Sequence, residues 1–244
     1  MSRLIRILSL LCSVTTGVAE PLRIVADEWP PYVDPTVPGR GLAIELVTEA
    51  FSRAGYPTQL TVEDWSHSLE GAVIGVYDVV ANIWYTDDWA RDLHYSDAYL
   101  VNDIRFVKRK GSDIVFDDYR DLRGRVIGIV KDYAYPQAFL RAGGLIKVVN
   151  DVLVQALGDL VAGRCDLVID DKHVIDFTMR KYLPDSLSRI EYLSKPVGLN
   201  QLHVAVSRVN PQHDRIVAGF NRSLRQMKAD GSYARILDAY GYQP

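Results

Sequence analysis

Residues 99–113 read YLVNDIRFVKRKGSD. The stretch is extended, carries its charge at the far end, and interrupts a regular alternation of strands and helices. Upstream, LRIVA (22–26) is a buried strand ended by the turn-prone DEWPPY. GLAIELVTEAFSRAG (41–55) sets apolar residues at helical spacing and stops at Gly55. TQLTVEDW (58–65) alternates like a strand, SHSLEGAVIG (66–75) reads as a helix, and YDVVANIWY (77–85) is a strand again. This β-α-β-α-β order predicts a mostly parallel sheet flanked by helices.

After residue 113 the alternation restarts. DLRGRVIGIV (121–130) is a turn and a buried strand, and YPQAFLRAGG (135–144) a helix. IKVVN (146–150) is a strand, DVLVQALGDLVAG (151–163) a helix opened by an Asp cap, and CDLVID (165–170) a strand. A short helix spans 173–182, NQLHVAVSR (200–208) is extended, and residues 213–241 hold two closing helices. The extended stretches at 100–106 and 199–204 therefore mark boundaries between two α/β units. Residues 20–102 with 204–244 make one lobe, and 103–203 the other. If the last helices pack on the first unit, the chain crosses twice. Two crossing strands make a hinge, and the groove between lobes is the natural ligand site. The alternative, two domains in series, leaves the C-terminal part without a sheet of its own.

The N-terminus adds a compartment. Arg3 and Arg6 precede an apolar run at 7–14, followed by Gly17 and Ala19 as small residues before a cut. Residues 1–19 are thus read as a secretory signal peptide, too short in apolar length to span a bilayer. The alternative is a buried N-terminal strand. Leu11 is too bulky for a lipoprotein signal at Cys12. Cleavage leaves Cys165 as the one thiol, read as a small buried hydrophobe in a strand. The mild acidity, net −3 for the whole chain, and the lack of a basic stripe argue against nucleic acid. The product is soluble and exported, which means periplasm in a Gram-negative organism.

Four motifs in this order resemble a known family. GLAIELVTEAF resembles the first helix of the solute-binding proteins of family 3, the polar amino-acid type that feeds ABC importers. TDDWARDLHYSDAYL (86–100) resembles the family's T-x-E-R segment, DLRGRVIGIVKD the start of its second lobe, and AGRCDLVIDD its G-x-x-D-A-V-x-x-D strand. The resemblance implies an α/β, two-lobed periplasmic binding protein fold (type II), with the lobes joined by a two-strand hinge. It implies that 86–100 forms one lip of the cleft and leads into the hinge.

The site follows residue by residue from the same resemblance. Trp29 matches an aromatic that stacks on the ligand, with Pro30 and Pro31 stiffening its loop; otherwise it caps the first core. Trp65 matches a second aromatic facing it; otherwise it packs at a strand end. Asn82 and Trp84 close the third strand at the cleft, Trp84 where a small hydroxyl residue is common. Trp89 stands where the family's carboxylate-gripping arginine belongs, with Arg91 two residues on. An indole has one donor and no charge, so it does not replace a guanidinium fork. Asp132, Tyr133 and Ala134 stand where the second lobe offers a glycine and a hydroxyl. Asp171 matches the amine-binding aspartate, with Asp170 beside it; one of the two is expected to cap the next helix. The ligand implied is small, carries an amine or other cationic group, and does not require an α-carboxylate. Arg91 or Lys131 restoring that anchor is the competing possibility.

Partners follow: a small molecule, and either an ABC permease or a membrane sensor, with the protein itself a monomer. No cofactor is implied. A cleft enzyme of cyclohexadienyl dehydratase type, using Glu28, Asp170 and Asp171, is a further alternative. Histidines 67, 94, 173, 203 and 213 are dispersed without metal-ligand spacing.

Overall fold

The computed structural model describes residues 20–131 and 133–242. The predicted leader at 1–19 and Asp132 lie outside the described residues. The first unit is built from β1 (Leu22–Ala26), α1 (Leu42–Arg53), β2 (Thr58–Val62), α2 (Trp65–Val73) and β3 (Val79–Trp84). β1 pairs in parallel with both β2 and β3. A short β4 (Leu93–Tyr95) precedes the long β5 (Leu100–Arg109). The second unit holds β6 (Val126–Val130), α3 (Gln137–Arg141), β7 (Ile146–Asn150), α4 (Leu153–Ala162), β8 (Leu167–Asp171) and α5 (Lys172–Tyr182). Its strands β7, β6 and β8 are also parallel. Then come β9 (Ile190–Tyr192), the long β10 (Gly198–Ser207), α6 (His213–Ala229) and α7 (Ser232–Ala239).

The two units are joined where the alternation paused. β5 and β10 pair antiparallel from Leu100 with Leu202 to Ile104 with Gly198. Beyond this ribbon β10 pairs β3, and β5 pairs β8, so the sheet order is β2-β1-β3-β10-β5-β8-β6-β7. This is the expected two-lobed type II arrangement with two crossing strands.

Both faces of the first sheet are covered, which is why β1 reads as an unbroken apolar run. Ile24 and Ala26 face a core shared with Phe51 of α1 and Phe220 of α6, while Val25 faces Leu69 and Ala72 of α2. Phe51 and Phe220 meet at 5.1 Å between ring centroids. Each such fully buried side chain contributes about 1.5–3 kcal/mol over exposure. The C-terminal helices thus return to the first unit as expected. Cys165 is buried and free, and burial pushes its thiol up to about 11, in keeping with a packing role.

One local expectation fails. Asp151 does not cap α4; Val152 holds that position without a side-chain bond. Its first turn is held by packing of Leu153, Ala156 and Leu157 instead. Two short strands, β4 and β9, are too brief for a period-two pattern to announce them.

Candidate functional site

The loop after β1 is folded back on itself. Trp29 N donates to Val33 O, and the Tyr32 and Val33 amides donate to Trp29 O. Leu42 N and Ala43 N at the start of α1 then hold the carbonyls of Pro31 and Tyr32. Gly41 makes this possible: it sits at φ +99, and a Cβ there would lie 2.5 Å from the Tyr32 oxygen. The loop is rigid for that reason and presents Trp29 and Tyr32 to the second lobe.

Trp84 reaches the same place through an irregularity. Along β10, Ala205 and His203 are two residues apart, but their partners on β3, Val80 and Ile83, are three apart. The extra residue is a β-bulge, which turns the remainder of the strand over. Ile83 therefore joins Val80 on the α2 face, and Trp84 lands on the opposite face beside Trp29.

Four aromatic rings gather there. Trp29 lies 4.5 Å from Tyr32, 5.9 Å from Trp84 and 6.4 Å from Tyr133, and Trp84 lies 5.7 Å from Tyr133. Tyr133 comes from the loop after β6, so the cluster spans both lobes. Trp29 Nε1 is buried without a hydrogen-bond partner; the Tyr133 hydroxyl is also buried, outside good hydrogen-bond geometry but close enough to Asp170 to favour that carboxylate. Asn82 Oδ1 is likewise buried without a partner, while the amide nitrogen of Asn82 donates to Asp27 at 2.7 Å. Unpaired buried polar atoms cost about 1–3 kcal/mol each. Trp29 Nε1 within the ring cluster, and Asn82 Oδ1 on β3 of the same lobe, are therefore groups that a polar partner would satisfy.

Behind the rings lie two buried carboxylates at the end of β8. Asp171 Oδ1 accepts from the Tyr32 hydroxyl at 3.0 Å and from the amides of His173 and Val174. Its Oδ2 accepts from Asn102 Nδ2 at 3.2 Å, and Asn102 Oδ1 in turn accepts from Trp84 Nε1 at 2.8 Å. Asp171 is therefore the cap of α5 as well as a tie between the lobes and the hinge strand. Asp170, 2% exposed, accepts from the Asp171 amide at 2.7 Å. Burial pushes Asp170 up to about 8, with the neighbouring Asp171 charge adding to it. Burial likewise raises Asp171, against the hydrogen bonds from Val174, Asn102 and Tyr32. Asp27 is raised by burial too. Among the described residues, no lysine or arginine forms an ion pair with Asp27, Asp170 or Asp171.

The remaining predicted residues lie elsewhere. Trp65 begins α2 and Trp89 sits in the short turn Trp89–Arg91; both pack on the α2-side core with Leu69, Ile83 and Leu93. The Trp29–Trp65 pair is not formed. Arg91 is exposed and paired with Asp88 at 2.7 Å. Lys131 is exposed. The stretch 86–100 does lead into the hinge, through β4 paired with β10, and its indole packs on the α2-side core while its guanidinium pairs with Asp88. Sequence reasoning missed Tyr32 and Asn102. Tyr32 stood close to Trp29 in DEWPPY, and Asn102 lies in a hinge strand that also holds Asp103, Arg105, Lys108 and Arg109, so nothing in the sequence marked it as the fully buried polar residue.

Comparison with known proteins gives three results. Residues 22–243 match the family of bacterial extracellular solute-binding proteins, family 3. The L-arginine-binding protein of Pseudomonas aeruginosa is 22% identical over 96% of this chain and 92% of its own length. The lysine/arginine/ornithine-binding periplasmic protein of Escherichia coli is 22% identical over 98% and 97% respectively. A histidine kinase sensor domain with similarity to periplasmic binding proteins has the same fold, with a TM-score of 0.74 at 20% identity over 93% of this chain and 99% of that one.

Proposed function

From the premise that the chain belongs to the bacterial extracellular solute-binding proteins of family 3, we propose that it closes over a small cationic ligand for an ABC importer in the periplasm. Residues 20–102 and 204–244 move as one lobe against 103–203, hinged on β5 and β10. The ligand lies among Trp29, Trp84 and Tyr133, with Asn82 at its edge and its cationic nitrogen toward Asp170 and Asp171.

The observation that carries this reading is the set of buried acids with no basic partner. A buried carboxylate is costly unless paired, and a ligand ammonium or guanidinium supplies the partner. The rings add cation–π attraction of about 0.5–2 kcal/mol once water is excluded. Two relatives named for arginine and lysine binding fit the same charge. Arg91 is paired with Asp88 and Lys131 is exposed, which supports a ligand whose amine is essential and whose carboxylate is not. Trp65, Trp89 and Arg91 serve the first lobe itself rather than the ligand.

Calorimetric titration with L-arginine, L-lysine, ornithine and the decarboxylated amines agmatine and cadaverine tests this. At least one cation binds with micromolar affinity or better, and the decarboxylated form stays within about tenfold of its amino acid, or 1.4 kcal/mol. Tight binding of a neutral amino acid, unaffected by Trp29→Ala, refutes the reading. Co-purification with a sensor kinase rather than a permease redirects the partner while leaving the ligand site intact.

A further inference from the structure

A second cluster of chemistry-bearing side chains lies in the first lobe, apart from the ring cluster. His94 on β4 and His213 at the start of α6 are 119 residues apart in sequence, yet their Nδ1 atoms are 3.0 Å apart. Asp214 Oδ1 lies 2.9 Å from His94 Nδ1 and 3.1 Å from His213 Nδ1. These three atoms form a nearly equilateral triangle. The side chains of His94 and His213 are 29% and 21% exposed, so the pair is fixed by its surroundings, while Asp214 is open to water.

Hydrogen bonding alone satisfies this arrangement poorly. A ring nitrogen carries at most one proton, and here each Nδ1 faces both another Nδ1 and a carboxylate oxygen. Three electron-rich atoms converge on one point, and one cation above them meets all three at once. A point about 1.1 Å above the triangle lies about 2.05 Å from each atom, the bond length of zinc to imidazole nitrogen and carboxylate oxygen. The angles subtended there are about 94°, and spreading the three atoms by about 0.35 Å brings them to tetrahedral values. The exposed side leaves room for water as a further ligand.

We propose that His94, His213 and Asp214 bind a divalent transition-metal ion of the zinc class. Two imidazoles and a carboxylate are a donor set that suits zinc and excludes calcium and magnesium, which take oxygen ligands. Arg208 bears on His94 as an opposing positive charge, and Asp214 offsets it. The ion ties β4 to α6. That clamps the strand segment entering the hinge onto α6, and so stiffens the first lobe independently of the ligand. His94 and His213 lie far apart in sequence, and the fold supplies a proximity that local spacing lacks.

The test uses residues 20–244, stripped with EDTA and titrated with Zn2+ by calorimetry, with Co2+ absorption as a second readout. One Zn2+ per chain binds at micromolar affinity or better, and Co2+ gives visible d–d bands of a low-coordinate site. His94→Ala and His213→Ala each weaken Zn2+ about 100-fold or more, and Asp214→Asn about tenfold or more, since each removes one of three protein ligands. His67→Ala, on the exposed face of α2, leaves it unchanged. Asp214 is exposed, so Asp214→Asn folds and keeps the test decisive if a histidine variant does not. Zn2+ binding absent up to millimolar concentration, or equal in wild type and in the His94→Ala/His213→Ala double variant, overturns the proposal.

Discussion

The four tryptophans divide into two pairs that the sequence does not separate. Trp29 and Trp84 stand at the junction of the lobes, in contact with Tyr133. Trp65 and Trp89 form the other pair, which packs against the α2-side core of the first lobe, outside the ring cluster. The inner pair is backed by buried acids and includes a buried indole N–H with no partner. The outer pair fills space beside aliphatic side chains. Identical side chains thus stand before buried acids in one place and before aliphatic packing in the other; the proposed ligand role belongs to the first pair because of what stands behind its rings.

The largest consequence concerns affinity. Trp29→Ala and Tyr133→Ala should weaken the tightest cation by about 100-fold or more, about 2.7 kcal/mol. Trp65→Ala and Trp89→Ala should leave it within about threefold. Calorimetry on the four variants reads this directly, and equal losses in both pairs would erase the distinction.

Next in size is the pH dependence of the acids behind the inner pair. Asp170 is raised from its ordinary carboxylate value to about 8 by burial. Its neutral form is the one the fold accommodates, so its contribution is fully present below about pH 4 and is lost as pH rises through 8. Asp170→Asn has no such loss. Its stability gain over wild type should therefore grow between pH 4 and pH 8, by more than about 1 kcal/mol, as followed by urea denaturation. A cation bound beside Asp170 stabilises the carboxylate, so ligand binding at neutral pH should release up to about one proton. Titrations in buffers of different ionisation enthalpy detect it.

The outer pair should reveal itself in stability instead. Trp65 and Trp89 are half-buried, and each alanine variant should lose about 1–3 kcal/mol, less than the 3–5 of a fully buried tryptophan. Arg91→Ala should change stability by less than about 0.5 kcal/mol, because its partner Asp88 is as exposed as it is. A large loss of ligand affinity in Arg91→Ala would return that residue to the site.

Most of the fold was legible because strands buried on both faces and helices with one apolar face leave different periods in the chain. The hinge was legible as the place where both periods stopped. The site was legible only in part. Trp29 and Asp171, the proposed ligand contacts, stand just past β1 and at the end of β8, so regular elements fix their places in the chain. Trp84 reaches the ring cluster through a bulge that neither composition nor period encodes, and simple alternation from Val80 would put it on the α2 face. Trp89 was counted into the cleft along the chain, and in the fold it packs against the α2-side core beside β4 rather than joining the ring cluster. The cap of α5 by Asp171 was foreseen as one of two outcomes, while the expected cap of α4 was replaced by packing. The pairing of His94 with His213 depends on α6 returning to β4, a long-range event that local spacing does not record.

The central claim is that a cation sits among the inner rings and against the buried acids. A crystal structure of residues 20–244, grown with the tightest binder among arginine, lysine, ornithine and agmatine, tests it most directly. The account predicts the ligand's cationic nitrogen within about 3.2 Å of Asp170 or Asp171, with its stem between Trp29 and Tyr133. A ligand seated against Trp65 and Trp89, or in the surface hollow lined by Glu45, Tyr56 and Ile236, would contradict it.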